Sequence, residues 1–267
     1  MNTVAVLGGG VMGEALIAAV LRSGVPAGDV VVGEPASDRA ADLAARHGVR
    51  IAPGTAEAVS GAGVVVIAVK PQGVADLLAQ VSPALAAGTL VVTVAAGLPT
   101  GFYEARLPPG TPVVRVMPNT PAVIGQGAGA ICAGAAASGE HLDRVSELLA
   151  ATGLVLRVPE SLMDAVTAVS GSGPAYVFYL VEALAEAGTL LGLPHNQALE
   201  LAVATFRGAA AMLTGEQPSV LRERVSSPGG TTVAAIRELD ARGVRAAIIA
   251  AAEAARDRAR ELAAESG

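Results

Sequence analysis

Tryptophan is absent from the 267 residues, and tyrosine and phenylalanine occur three times each. Aromatics make up 2% of the chain, and 24 acidic residues outnumber 18 basic ones for a net charge of −6. Such a surface has neither the stacking platforms nor the basic clusters of a nucleic-acid binder, so no nucleic-acid partner is expected. A single cysteine, Cys132, excludes an internal disulfide and suits a reducing, cytoplasmic setting. Three scattered histidines, His47, His141 and His195, argue against a His/Cys metal site, and no metal is expected. Lysine occurs once, as Lys70.

Long apolar runs able to stay helical are lacking too. Apolar residues reach 52% and mean hydropathy is +0.54, with two charge-free windows at 77–103 and 116–139. Pro83, Gly88, Gly97 and Pro99 interrupt the first, and Pro118, Pro121 and several glycines the second. A spanning helix needs about 20 consecutive apolar residues, so no membrane partner is expected. The opening "MNTVAVLGGG" has neither a cationic region nor a cleavage site, and reads as neither signal nor transit peptide.

What is present divides in two. Up to Val158, short β-branched runs at 3–8, 29–33, 63–69, 89–97, 112–118 and 127–134 alternate with helical patterns at 13–23, 37–47, 73–81, 99–107 and 139–152. Continuous Val/Ile runs suit strands buried on both faces, and the alternation predicts an α/β fold with a doubly wound, Rossmann-type sheet over 1–158. From 159 to 267 the β-branched runs stop. Helices are predicted at 162–192, 195–214, 218–225, 230–241 and 243–265, forming an all-helical domain. The stretch 176–191 is apolar on more than one face, which suits burial in a bundle or against another subunit.

"VLGGGVMGEAL" (6–16) holds G-x-G-x-x-G as Gly8, Gly10 and Gly13, between a predicted strand and a predicted helix. In that setting Gly8 permits the turn, Gly10 lets a pyrophosphate approach, and Gly13 lets the helix pack on the strand. Glu34 follows about 20 residues later, where an acid accepts from ribose hydroxyls and favours NAD, although Ser37 and Arg39 close behind suit a 2′-phosphate. Cofactor choice, NADP or NAD, stays open here. Lys70 in "AVKPQ" suits cofactor phosphate or ribose, or is a plain surface lysine. Asn119 in "RVMPNTPAVIG" suits a carboxamide or ribose, or is a turn residue.

"VSSPGGTTVAAI" (225–236) lays down more bare backbone and more hydroxyls than one helix start needs. Together with "GGGVMGEAL", "AVKPQ", "VRVMPNTPA" and "DAVTAVSGSGPAY", in this order, it resembles the pyrroline-5-carboxylate reductase family over essentially the full length. The resemblance implies NAD(P)H-dependent reduction of 1-pyrroline-5-carboxylate to L-proline, the last step of proline biosynthesis. It implies a helical domain that forms a homodimer, with dimers assembling into a ring such as a decamer. By motif, Gly8, Gly9, Gly10, Val11, Met12 and Gly13, then Ala68, Val69, Lys70 and Pro71, then Ala95, Ala96 and Gly97, line the cofactor. Glu160, Thr167, Ser227, Gly229, Gly230, Thr231 and Thr232 face the substrate. Glu34-Pro35 departs from the phosphate-binding sequence typical of NADP-preferring members.

On that premise the glycines at 229–230 bare helix amides to the substrate carboxylate, with hydroxyls from Ser227 and Thr231, and Thr232 bonds the ring nitrogen as the catalytic residue. "SGSGPAY" (170–176) reads as structural, with Ser172 capping a helix that starts near Pro174. Glu182 and Glu186, four apart, read as solvated or interface residues. A hydroxyacid dehydrogenase of the same architecture would use a lysine in its helical half, which this chain lacks. A non-catalytic dinucleotide sensor differs by failing to oxidise NADH or NADPH when the imine is added.

Overall fold

The valine and isoleucine runs build a single sheet. A computed structural model describes residues 3–266; the expected domain limits at 1 and 267 lie outside the described residues. The strands are β1 (Thr3–Leu7), β2 (Val30–Gly33), β3 (Arg50–Ile51), β4 (Ala62–Ile67), β5 (Leu90–Thr93), β6 (Val113–Met117), β7 (Gly127–Ala133) and β8 (Gly153–Arg157). Helices of the first half are α1 (Val11–Arg22), α2 (Ser37–His47), α3 (Thr55–Val59), α4 (Val74–Val81), α5 (Thr100–Glu104) and α6 (Gly139–Leu149). Then come α7 (Met163–Val166), α8 (Gly173–Leu190), α9 (His195–Met212), α10 (Pro218–Arg224), α11 (Thr231–Ala241) and α12 (Val244–Ser266).

Strand order is β3-β2-β1-β4-β5-β6-β7-β8. All neighbours are parallel except β6 and β7. The link from β6 to β7 is too short for the crossover a parallel pair requires, so β7 must turn back. Successive residues of each strand feed opposite faces. Val4, Val6, Val64 and Val66 pack with Leu16 and Ile17 of α1 and Leu148 of α6. Ala5, Leu7, Val65 and Ile67 pack with Val74 and Leu78 of α4 and Phe102 and Tyr103 of α5. Each fully buried large side chain contributes about 1.5–3 kcal/mol. The chain leaves β1 toward β2 on one side, and β4 lies on the other, which puts the switch of direction at the carboxyl end of β1.

Three elements lie outside the expected pattern. β8 is an edge strand with Leu154 and Leu156 half exposed, β3 has only two residues, and α3 is a short turn after β3. A fourth difference concerns "SGSG". Thr167–Gly171 forms a π-turn, with the Ser172 amide bonded to the Thr167 carbonyl at 2.8 Å. Ser172 is itself helical (φ −84°, ψ −19°) and ends the π-turn with its amide, not in the extended conformation expected of a helix N-cap. A side chain at Gly171 would meet the Met117 methyl, the movable end of that side chain.

The chain forms two compact units, one of residues up to Ser172 with those from Ala255 on, the other Gly173–Ala254. Thus 159–172 and the end of α12 pack with the sheet, outside the expected limit at 158. In the second unit α8 and α9 pair closely. Within the chain α8 buries only Ala185, leaving Phe178, Tyr179 and Leu190 exposed. Among the described residues no helix is long and apolar enough to cross a membrane, and no His/Cys/Asp/Glu group is arranged to hold a metal.

Candidate cofactor and substrate sites

β1, β2, β4, β5 and β6 run the same way, so the segments after them share one edge of the sheet. Gly8–Gly13, Glu34, Ala68–Pro71, Ala95–Gly97 and Asn119 all lie there.

The three motif glycines do different jobs. Gly8 has φ +100°, and a Cβ on it would lie 2.9 Å from the Ala68 carbonyl oxygen. A Cβ on Gly13 would overlap the Gly8 carbonyl, so α1 seats directly on the loop. Gly10 has nothing within 4 Å of that position, and it is exposed together with Val11. Gly10 is the N-cap of α1 and supplies no side-chain cap, and the amides of the first turn have no acceptor within the helix. Donors at a helix start beside open space fit a dinucleotide pyrophosphate.

Glu34 is fixed at both oxygens. Its Oε2 accepts the Gly9 amide at 2.7 Å and its Oε1 the Ala36 amide at 2.9 Å. Arg39 is bound three ways: Nε donates to the Gly9 carbonyl (2.6 Å), Nη1 to Asp42 (2.7 Å) and Nη2 to Glu14 (2.5 Å). Glu14 also meets Arg46 Nη1 at 2.8 Å and His47 Nε2 at 3.0 Å. The Arg39 and His47 hydrogen bonds hold the Glu14 carboxyl below the usual carboxylate range, and Glu14 raises Arg39 in turn.

Lys70 is exposed and makes no ion pair among the described residues, which leaves its charge available at the end of β4. Of the three residues after β5, Ala96 is exposed and Ala95 is buried. Gly97 (φ +81°) lies under Leu262 of α12. Asn119 is occupied by the fold. Its amide nitrogen donates to the Ser170 carbonyl at 3.1 Å, and its oxygen accepts the Ala128 amide at 2.9 Å. The Ser170 hydroxyl donates to the Ala128 carbonyl, so Asn119 and Ser170 together tie the π-turn to β7.

Glu160 likewise serves the sheet unit. Its Oε1 accepts the Thr100 amide and its Oε2 the Thr100 hydroxyl, both at 2.7 Å, which caps α5 from 60 residues away. Arg115 Nη1 adds a third bond at 3.3 Å. Arg115 is only 5% exposed, and its Nη2 lies 3.8 Å from Asp164, which Arg260 meets at 3.5 Å. Thr167 opens the π-turn and donates to the Met163 carbonyl at 3.0 Å. The sequence reading missed Arg115, although a charge inside "PVVRVMP" signalled that a buried acid must face it.

In the second unit, Ser227-Pro228-Gly229-Gly230 forms a turn closed by the Gly230 amide on the Ser227 carbonyl at 3.0 Å. Gly229 has φ +69°, the conformation a type II turn demands at its third position after proline. Gly230 then caps α11 with no side-chain hydrogen bond. Ser226 donates back to the Arg222 carbonyl at 2.7 Å. The run of hydroxyls is therefore not an elaborate cap. Ser227 and Thr231 are exposed and Thr232 is half-buried, around amides that the helix leaves unbonded.

A sequence model described as pyrroline-5-carboxylate reductase dimerisation matches residues 160–262. Another, described as NADP oxidoreductase, coenzyme F420-dependent, matches residues 3–97. A pyrroline-5-carboxylate reductase of Corynebacterium melassecola is 45% identical, over 98% of this chain and 99% of its own. The solved structure of such a reductase from Coxiella burnetii superposes with a TM-score of 0.92 at 34% identity, covering 98% of each chain. That of Plasmodium falciparum pyrroline carboxylate reductase with NADP bound gives 0.87 at 26% identity, again over 98% of each.

Proposed function

The chain belongs to the pyrroline-5-carboxylate reductase family, and from that premise we propose that it reduces 1-pyrroline-5-carboxylate to L-proline with NADPH or NADH. The bound nicotinamide supplies the hydride. The chain's own residues hold and orient the reactants. Amides of the first turn of α1, beside the open face of Gly10, hold the pyrophosphate, and Lys70 contributes its charge to phosphate or ribose. The single observation that carries the substrate assignment is the start of α11, where amides and hydroxyls stand with no side-chain cap. A small carboxylate is the ligand such a group takes: the first-turn amides of Thr231 and Thr232 bind it, and the Ser227 and Thr231 hydroxyls add donors.

Thr232 Oγ1 is the hydrogen-bond partner of the ring nitrogen. A protonated imine is already electrophilic, so positioning supplies most of the rate and no strong acid or base is needed. Thr232→Ala removes one bond to a charged partner, worth about 1.5–3 kcal/mol, or roughly 10- to 150-fold in kcat/KM. The melting temperature stays nearly unchanged, because the Thr232 side chain does not cap α11. Thr232→Ser restores most of the rate. A Thr232→Ala enzyme at wild-type speed refutes the assignment.

The reading extends to assembly and setting. The exposed apolar surface of α8, within the segment matched by the dimerisation model, supports a homodimer, and sedimentation at twice 26.3 kDa is its check. Assembly of dimers into a ring and a place in proline biosynthesis follow from the family. A cytoplasmic location is supported by the lone, buried thiol of Cys132.

A further inference from the structure

Resting on the reductase reading, we propose that Glu34 and Glu14 together make this chain select NADH over NADPH. Glu34 excludes the extra phosphate, and Glu14 withholds the cation that would accept it.

In a doubly wound sheet the adenosine ribose lies at the end of the second strand. Glu34 stands there, one residue past β2, and its carboxylate cannot swing away freely. The Gly9 amide holds one oxygen at 2.7 Å and the Ala36 amide the other at 2.9 Å. Each oxygen keeps a further lone pair for a hydroxyl donor, so the two ribose hydroxyls match it. A 2′-phosphate has no proton to offer near pH 7 and carries close to two negative charges. Beside a fixed carboxylate it is repelled.

An enzyme can tolerate that phosphate if a guanidinium moves in. The nearest candidate by sequence is Arg39, and all three of its nitrogens are engaged, with the Gly9 carbonyl, Asp42 and Glu14. Glu14 is the anchor of this arrangement. It sits in the first turn of α1 and gathers Arg39, Arg46 and His47 onto one carboxylate. Arg39 thereby braces the glycine loop through Gly9. Glu14 is a positioning residue for this purpose, since it acts through Arg39. Lys70 lies after β4, two strands away from β2 in the sheet.

The test measures binding without the imine, by the change in nicotinamide fluorescence when NADH or NADPH is titrated into the full-length protein. Two like charges a few ångströms apart, after screening, separate the two affinities by about tenfold or more. The expected result is tighter NADH binding by wild type by that factor. Glu34→Gln keeps the shape and the acceptor for the Gly9 amide but removes the charge, and brings the two affinities to within about threefold. Glu14→Gln removes the charge that holds Arg39 Nη2, leaving Arg39 on the Gly9 carbonyl and Asp42, and raises NADPH affinity while NADH affinity holds, which tests the proposal even if Glu34 variants fold poorly. Equal or tighter NADPH binding by wild type overturns the proposal, as does a ratio unmoved in both variants. If NADPH wins and the imine is still reduced, only this proposal falls. If neither nucleotide binds, the reductase reading falls with it.

Discussion

Replacing Glu160 by alanine separates two roles that the residue can have. The resemblance assigns it to the substrate, whereas the structure occupies both its oxygens with Thr100 and Arg115. Removing the carboxylate uncaps α5, a five-residue helix whose own N-cap, Pro99, offers no side chain. It also strips Arg115 of its nearer acid and leaves Asp164 at 3.8 Å as the other. Breaking a fully buried ion pair costs about 3–5 kcal/mol. Glu160 is 32% exposed, so solvent screens part of that, and roughly 2–3 kcal/mol is the expected loss.

At about 2–4 °C per kcal/mol for a protein of this size, the melting temperature should fall by roughly 5–10 °C. Glu160→Gln keeps an acceptor for Thr100 and should lose about half as much. The assay pairs thermal unfolding with kcat/KM at a temperature where the variant stays folded. A structural Glu160 gives a large thermal shift and a rate within a few-fold of wild type. An unchanged melting temperature with a collapsed kcat/KM would refute the reasoning and return Glu160 to the substrate.

Gly230→Ala puts a methyl 2.5 Å from Ser227 Oγ and 3.0 Å from its carbonyl oxygen. The turn must shift, and the KM for the imine should rise about tenfold, the worth of one bond to a charged group, with cofactor affinity little changed; equal losses for both ligands would count against the cradle. Burial first, and then Glu160, push the Cys132 thiol up to about 11 against the opposing pull of Arg115. Native protein at pH 8 should therefore resist alkylation until it is unfolded, as read by mass spectrometry. Burial also raises Tyr103 to about 12. Because folding raises both values, the stability tied to the neutral forms is complete below their ordinary ranges and is lost as pH climbs toward 11 and 12; a melting temperature that rises over that interval would contradict the assignment.

The parts legible in the sequence are those fixed by neighbours along the chain. The Val/Ile runs of β1, β4 and β5 and the Gly8–Gly13 loop depend on local pattern, and they formed as read. β8 escaped because it is an edge strand: "GLVLR" has one β-branched residue, and its leucines face outward. The π-turn is tied to β7 through Asn119, Ser170 and Ala128, whose separations of 51 and 42 residues no local spacing reveals. Arg39 is the instructive case. Sequence alone offered it as a partner for a 2′-phosphate, and the structure shows it bound to Gly9, Asp42 and Glu14. Its partners Glu14 and Gly9 lie 25 and 30 residues away, so only folding brings them together.

The same dependence on distant residues decides what counts as the cofactor-binding unit. A break at 158 follows the change in sequence pattern, yet the sheet unit borrows from beyond it. Glu160 caps α5 and neutralises the buried Arg115. Ser170 receives Asn119 and links the loop after β6 to β7. From the far end of the chain, Ala259 is 7% exposed, Arg260 meets Asp164, and Leu262 covers Gly97 behind β5. A fragment ending at 158 would keep every glycine of the loop and still hold a buried guanidinium with neither of its acids, which is the costly half of a broken pair. Residues at the carboxyl end of the chain thus help to shape a loop that the sequence writes before residue 100. The links are chemical: Leu262 packs on Gly97, and Arg260 meets the Asp164 that also faces Arg115.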